Sequence, residues 1–173
     1  QNKPFVYRCI NRLDRDTTGL TIVAKHALAG GILGNAVAKR AIHRTYYAVC
    51  SGCTPACMRI SAPIARKDAS TIERCVDFKR GENAVTDFIR IKYNPDNNLS
   101  LVKLRLLTGR THQIRVHMKY IGFPLIGDFL YNPDYTYISR QALHSGRLVF
   151  THPVTGQKMN LISDIPSDMK SLF

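Results

Sequence analysis

Short apolar stretches, each closed by a turn residue, set the rhythm of this chain. Leu20, Ile22, Val23 and Ala24 lie between Gly19 and Lys25 and predict a strand over 20–24. Tyr46, Ala48 and Cys50 alternate with Tyr47 and Val49, which predicts a strand over 44–50 whose two tyrosines face opposite ways. Further strands are expected at 59–62, 72–77, 84–93 and 99–107, and Pro95-Asp96-Asn97-Asn98 turns the last two into a long hairpin. The period becomes helical twice. Over 27–40, Leu28, Ile32 and Val37 give a partial apolar face that Gly30, Gly31 and Gly34 weaken. After 107, Ile114, Met118 and Ile121 recur at helical spacing, with Gly122 as the stop. A last pair, 148–150 and 159–162, flanks the turn His152-Pro153-Val154-Thr155-Gly156. Many antiparallel hairpins with two or three helices indicate an α+β fold. No repeat, low-complexity tract or linker interrupts the pattern, so one domain over 1–173 is expected.

Composition narrows the class. At 173 residues and 45% hydrophobic content the chain can form an ordinary core, which excludes disordered and fibrous classes. No apolar run approaches the ~18–20 residues of a membrane helix. The first residues, Gln1-Asn2-Lys3-Pro4-Phe5, lack the apolar core of a secretory signal. The expectation is a soluble, cytoplasmic protein. The charge is lopsided: 25 Lys and Arg against 12 Asp and Glu, a formal net charge of +13. Such an excess favours polyanions, since each phosphate neutralised releases condensed counterions. A membrane-surface protein would concentrate its cations in one block or one helix face; here they are dispersed over strands and turns, which favours nucleic acid. Of the five cysteines, Cys50, Cys53 and Cys57 have a spacing that raises zinc, but a structural site needs four ligands and no second paired motif supplies them. Free thiols in a reducing compartment are the simpler reading.

Two cationic clusters carry the candidate chemistry. Asn11-Arg12-Leu13-Asp14-Arg15-Asp16-Thr17-Thr18-Gly19 sets carboxylates among arginines ahead of an apolar strand, and Thr108-Gly109-Arg110-Thr111-His112-Gln113-Ile114-Arg115-Val116-His117 follows about a hundred residues later. An aspartate acting as nucleophile or base must be ionised, and burial opposes that while nearby guanidinium groups favour it. Arg12 and Arg15 adjoin Asp14 in sequence, and Arg110, after Gly109 at a strand-to-helix junction, is a candidate to reach it in space. Asp16 is a rival carboxylate that spacing does not separate from Asp14; the bland alternative for both is a turn aspartate bonding nearby amides. His112, Arg115 and Lys119 fall near one helical face, opposite Ile114, Met118 and Ile121. Such a face is usually solvated, and in a basic protein it suits RNA. A metal reading of His112 with His117 fails on their five-residue spacing. Tyr46, near Arg40, His43 and Arg44, is either half-buried core or a ring on which a base stacks.

These blocks resemble a known family. The first is similar to the His-Arg-Leu-Asp-x-x-Thr-Ser-Gly signature of the RluA-type pseudouridine synthases. His43-Arg44-Thr45-Tyr46-Tyr47-Ala48-Val49 looks like their Lys-x-Tyr-x-Ala segment. Residues 108–117 resemble their Thr-Gly-Arg-Thr-His-Gln-Ile-Arg-Val-His motif, followed by Ile121-Gly122-Phe123-Pro124-Leu125-Ile126-Gly127-Asp128. Leu143-His144 and His152-Pro153 fit the closing segment. Four blocks in the family's order span residues 11 to 153.

The resemblance implies a curved, mostly antiparallel mixed sheet flanked by helices, with a basic cleft across it. It implies isomerisation of uridine to pseudouridine in ribosomal or transfer RNA, without metal or organic cofactor, by a protein expected to be a monomer. It makes Asp14 the catalytic aspartate, Arg110 its ion-pair partner and Tyr46 the ring beside the target uracil; Tyr46, or a base acting near it, is then the candidate for taking the C5 proton. Arg12 becomes a residue that helps displace the flipped nucleotide, within an RNA-binding set of Arg12, Arg15, Arg44, His112, Arg115 and Lys119. Three positions depart from the pattern: Asn11 stands for histidine, Thr18 for serine and Arg44 for lysine. Asn2-Lys3-Pro4 superficially resembles a family segment but lies too near Asp14, so one or more N-terminal strands of the fold are expected to be missing, leaving a sheet edge open. Two other functions compete. One is an RNA-binding or folding-assistance module with the same cleft but no turnover; the other is glycosidic cleavage by Asp14 and Asp16.

Overall fold

The computed structural model describes residues 6–68, 70 and 72–173; the Asn2-Lys3-Pro4 segment lies outside them. In chain order the elements are β1 (Arg8–Cys9), β2 (Thr18–Gly19), β3 (Val23–Ala24), α1 (Ala27–Ala38), β4 (His43–Ser51), β5 (Cys57–Ser61), β6 (Ile64–Arg66), β7 (Arg74–Val76), β8 (Val85–Asn94), β9 (Leu99–Leu106), α2 (Gln113–Tyr120), β10 (Leu143–Thr151), β11 (Lys158–Ile162) and α3 (Ser167–Lys170). The architecture is α+β. A seven-stranded sheet runs β11-β10-β4-β9-β8-β5, with β2 added to β10, and two-stranded ribbons pair β1 with β3 and β6 with β7. All pairings in the large sheet are antiparallel except β2 with β10, which makes it mixed.

The expected hairpins form within a few residues of their predicted bounds. The strand expected over 20–24 is reduced to Val23–Ala24. Its front half is drawn elsewhere: Thr18 and Gly19 lie parallel to His144 and Ser145, and the Ile22 amide donates to the Asn11 side chain. Gly19 is required at that junction. It has φ +104, and a Cβ there would sit 2.3 Å from the Ser145 carbonyl oxygen. Two- and three-residue strands such as β1 and β6 were not anticipated, because so short a run carries no periodic signal.

Helix α2 packs one face of the sheet. Ile114 and Met118 join Tyr46, Ala48, Phe88, Val102, Leu104 and Leu143 in the main core cluster, where each large side chain removed from water contributes roughly 1.5–3 kcal/mol. Helix α1 covers Ile22, Ile42, Leu148 and Phe150 with Ala29 and Leu33, and α3 sends Met169 against Val49, Leu99 and Ile126. Cys50 sits in the core, where burial pushes its thiol pKa up, while Cys53 and Cys57 are exposed. Among the described residues no group of three or more His, Cys, Asp or Glu side chains is arranged to hold a metal, and no helix is long and apolar enough to cross a membrane.

A buried polar chain fixes α2 to the sheet. His117 is fully buried; its Nε2 donates to the Ala62 carbonyl at 2.9 Å, and its Nδ1 accepts from Thr86 Oγ1 at 2.9 Å. Thr86 in turn accepts from Gln113 Nε2 at 3.0 Å. Burial lowers the His117 pKa below its usual 6.5, so the unfolded chain binds the proton first as pH falls. The stability that neutral His117 supplies is complete above about pH 6.5 and is lost progressively below it. Burial also lowers the pKa values of His112 and His144, which act with the same sign. The unfolding free energy from urea titration should therefore fall from about pH 7 to about pH 5, by up to ~1.4 kcal/mol per pH unit per histidine. His117→Gln, which preserves one donor and one acceptor, should flatten that slope. A second check concerns glycine. Gly19→Ala should cost ~1–3 kcal/mol in urea denaturation from strain at positive φ, whereas Gly31→Ala, in α1 with nothing within 4 Å of its added Cβ, should stabilise by roughly 0.5–1 kcal/mol.

Candidate active site

The loop that carries Asp14 is tied down at both ends. Asn11 is buried; its Oδ1 accepts from the Ile22 amide at 2.9 Å and its carbonyl from Thr21 Oγ1 at 2.8 Å. The Thr17 amide closes a turn on the Asp14 carbonyl at 3.0 Å. Thr17 Oγ1 accepts from Gln141, and Thr18 Oγ1 meets His144 Nδ1 at 2.9 Å. The departures at Asn11 and Thr18 thus leave the loop braced, since each polar side chain finds a partner on β10 or at the mouth of β3.

Asp14 opens on a cleft of about 690 Å³ whose lining includes Arg12, Arg44, Tyr46, Arg110 and His112. It is the sole carboxylate among the described lining residues. Asp16, at φ 65, turns outward and pairs with Arg15 at 3.5 Å, so the geometry separates the two carboxylates that spacing left level. Behind Asp14 lies Arg115, 1% exposed. Its Nε and Nη2 bond both oxygens of Asp128 at 2.7 Å each, and its Nη1 reaches Asp14 Oδ2 at 3.5 Å. Asp128 is fully buried and also accepts from the Leu130 and Tyr131 amides at 3.0 and 3.2 Å. The rings of Phe129 and Tyr131 lie 5.3 and 4.9 Å from the guanidinium. Burial alone would lower the Arg115 pKa, but the bonds to Asp128 and the charge of Asp14 outweigh it and raise it, so the cation is permanent.

This corrects two expectations. Arg110 is not the partner of Asp14: its guanidinium pairs with Glu82 and donates through Nε to the Asn83 carbonyl at 3.1 Å. It lies in the turn before α2 and is directed toward residues 82–83, whereas Arg115, inside the helix, faces the Asp14 loop. Nor does Arg115 belong to a solvated RNA-binding face. The segment 126–131 covers that side of α2, so Gln113 to Met118 are all buried. Arg12 and Arg44 line the cleft as expected, and His112 lines it from an αL residue at φ 57, its Nδ1 2.9 Å from the Tyr131 hydroxyl. Arg15 stands over Phe129 at 5.5 Å and Lys119 over Tyr131 at 5.6 Å, both exposed and outside the cleft lining.

Tyr46 is buried against the cleft, and Tyr47 packs on the opposite face of β4, as alternation requires. Burial raises the Tyr46 pKa, Arg44 opposes and Asp14 reinforces the rise, so the phenol keeps its proton. Sequence reasoning gave Asp128 no role, although the Ile126-Gly127-Asp128 run was in view; the missing step was to ask what would neutralise an arginine between Ile114 and Val116.

The RNA pseudouridylate synthase family matches residues 1–120, well over half of the chain. The chain belongs to that family. It is 47% identical over 166 residues to a Bacillus subtilis protein named uncharacterized RNA pseudouridine synthase YjbO, covering 95% of this chain and 57% of that one. It is 37% identical over 174 residues to ribosomal large subunit pseudouridine synthase D of Zymomonas mobilis, covering 95% and 54%. Among solved structures, human RNA pseudouridylate synthase domain containing 1 superposes with a TM-score of 0.81 at 26% identity, covering 92% of this chain and 69% of that one. The chain spans about half the length of the curated relatives it matches. In this family member the carboxylate, the buried guanidinium and the tyrosine ring come from three separate blocks of sequence.

The buried pair and the exposed pair should differ in worth. Asp128→Asn leaves Arg115 without its bidentate partner and should cost about 3–5 kcal/mol in chemical denaturation. Arg110→Ala breaks an exposed pair and should cost no more than about 1 kcal/mol.

Proposed function

We propose that the chain isomerises uridine to pseudouridine within structured RNA. The observation that carries this reading is the lone cleft carboxylate, Asp14, set against a permanent buried cation and facing a tyrosine wall. Of ribosomal and transfer RNA, the name of the Zymomonas relative favours the former. The cleft lining brings Arg12, Arg40, Arg44, Arg105 and Arg110 together with a single aspartate, the charge expected where phosphates are neutralised. A stacked and paired uracil cannot turn, so the nucleotide leaves the helix at a cost of a few kcal/mol. Phosphate contacts offset that cost, and Arg12, exposed at the cleft, is positioned to take the vacated place.

The reaction breaks the C1′–N1 bond, turns the uracil and joins C5 to C1′; N1 gains a proton and C5 loses one. Positive charge develops at the sugar as the first bond breaks, and ionised Asp14 stands where it acts on that centre as nucleophile or on the ribose as base. Arg115 keeps Asp14 in place without neutralising it outright, because Asp128 already takes two of its donors. Tyr46 supplies a face for the uracil. Its phenol holds its proton, so Tyr46 is a poor acceptor for the C5 hydrogen, which passes instead to solvent in the open cleft. Glycosidic hydrolysis by a carboxylate pair finds no second carboxylate, since Asp16 faces outward.

The test is tritium release from unmodified ribosomal and transfer RNA transcripts labelled at uridine C5. Asp14→Asn should reduce release at least about 10³-fold while RNA affinity changes little. Retained turnover would remove Asp14 from the mechanism. Binding of RNA by the unsubstituted protein without any release would replace the isomerase with a binding module.

A further inference from the structure

A second cavity, of about 490 Å³, adjoins the cleft and is lined by Arg66, Arg74, Arg80, Arg110 and Glu82. Residues Gly109, Arg110 and Thr111 line both cavities, so they share one wall. Arg66 and Arg74 stand directly opposite each other in the β6–β7 ribbon, and like charges at such a pair are destabilising. Arg66 has no side-chain partner among the described residues, and Arg74 donates from Nη1 only to the carbonyls of Ile72 and Glu73, at 3.1 Å each. Arg80 is held by Asp68 and Asp77. Four guanidinium groups thus face one lining carboxylate, and Arg66 and Arg74 have no anionic partner among the described residues.

The Glu82 backbone is anchored by two 2.9 Å bonds to Ile64. Its side chain is 70% exposed and rests on Arg110. A carboxylate and a phosphate offer a guanidinium the same planar pair of acceptors. We propose that this second cavity grips a phosphodiester of the RNA strand whose neighbouring nucleotide enters the cleft, and that Glu82 is a resident carboxylate which the phosphate displaces from Arg110. The inference rests on the reading of the chain as an RNA enzyme and adds where the backbone is held. Arg66 and Arg74 receive the phosphate, and their mutual repulsion is relieved when it binds. Glu82 weakens every RNA by the same amount, because it competes with backbone and not with a base.

The experiment is equilibrium binding of unmodified ribosomal and transfer RNA transcripts between about 50 and 200 mM salt. Arg66→Gln with Arg74→Gln should weaken binding and flatten the slope of log K against log salt by about one to two units. Lys92→Gln with Lys170→Gln, which removes the same charge away from both cavities, should leave the slope nearly unchanged. Glu82→Gln should tighten binding roughly two- to fivefold, the equivalent of one exposed ion pair. An unchanged slope in the double arginine variant, or equal flattening in the lysine control, would overturn the proposal, as would Glu82→Gln without tightening. Protection from thermal unfolding by inorganic phosphate that vanishes in the double arginine variant, with RNA binding untouched, would assign the cavity to a free anion and overturn its RNA role. The double arginine variant removes repulsion, so its folding is checked by an unchanged or raised melting temperature. Binding is read without turnover: absence of tritium release sinks the isomerase reading alone, and an unchanged slope sinks the phosphate grip alone.

Discussion

A guanidinium sealed inside a protein must have its charge met there, and in this chain Arg115 is that group. Asp128 meets it with two bonds of 2.7 Å, and two aromatic rings close over it. Removing both ions from water costs several kcal/mol, which only good geometry recovers. That geometry places one remaining donor, Nη1, toward Asp14 at 3.5 Å. The consequence is a division of labour between two carboxylates. Asp128, fully buried, spends both oxygens on the cation and on the amides of Leu130 and Tyr131. Asp14, partly exposed, feels the same cation at longer range and keeps a free face toward the cleft. A single tight Asp14–Arg115 pair would have tied up the oxygen that now faces the cleft.

The remainder of the site holds the Asp14 loop against that fixed cation. Side-chain ties reach beyond the loop: Asn11 to Ile22 ahead of β3, Thr17 to Gln141, Thr18 to His144. Gly19 lets the chain pass within contact distance of the Ser145 carbonyl, which no side chain would permit. The parallel pairing of β2 with β10 is therefore both a strand contact and a clamp. Because β10 also pairs with β4, which carries Tyr46, the carboxylate and the ring are positioned from one central pair of strands.

The order of the main strands and both longer helices was legible in the sequence, because each has a period or a turn signal long enough to read. Asp14, Tyr46 and the basic cleft were legible too, through the spacing of cationic blocks and the resemblance that they carry. The choice between Arg110 and Arg115 was not. A helical wheel puts Arg115 on the flank of the Ile114–Met118 stripe, and two-layer reasoning assigns that flank to water. The fold adds a third layer at residues 126–131, brought back over α2 by a loop without periodicity. Arg110 looked projecting and is, but toward Glu82 and Asn83, residues whose position depends on β6, the unpredicted half of the β6–β7 ribbon. Short ribbons are set by tertiary contacts rather than by local pattern, so errors concentrated around them.

The turn over 109–111 shows how such errors matter for function. Gln113 holds this turn from behind: its Oε1 accepts from the Arg110 amide and from Thr108, while its Nε2 donates to Val85 and Thr86 on β8. A buried amide with both ends engaged allows the turn little freedom. The same turn separates the Asp14 cleft from the arginine-lined cavity, and Arg110 borders both. The exposed carboxylate of Glu82 pairs with Arg110 on this turn, apart from Asp14 and its contact to Arg115. Asp14 therefore depends on Arg115 for its place, while Arg110 pairs with Glu82, so two arginines five residues apart in one motif meet different carboxylates.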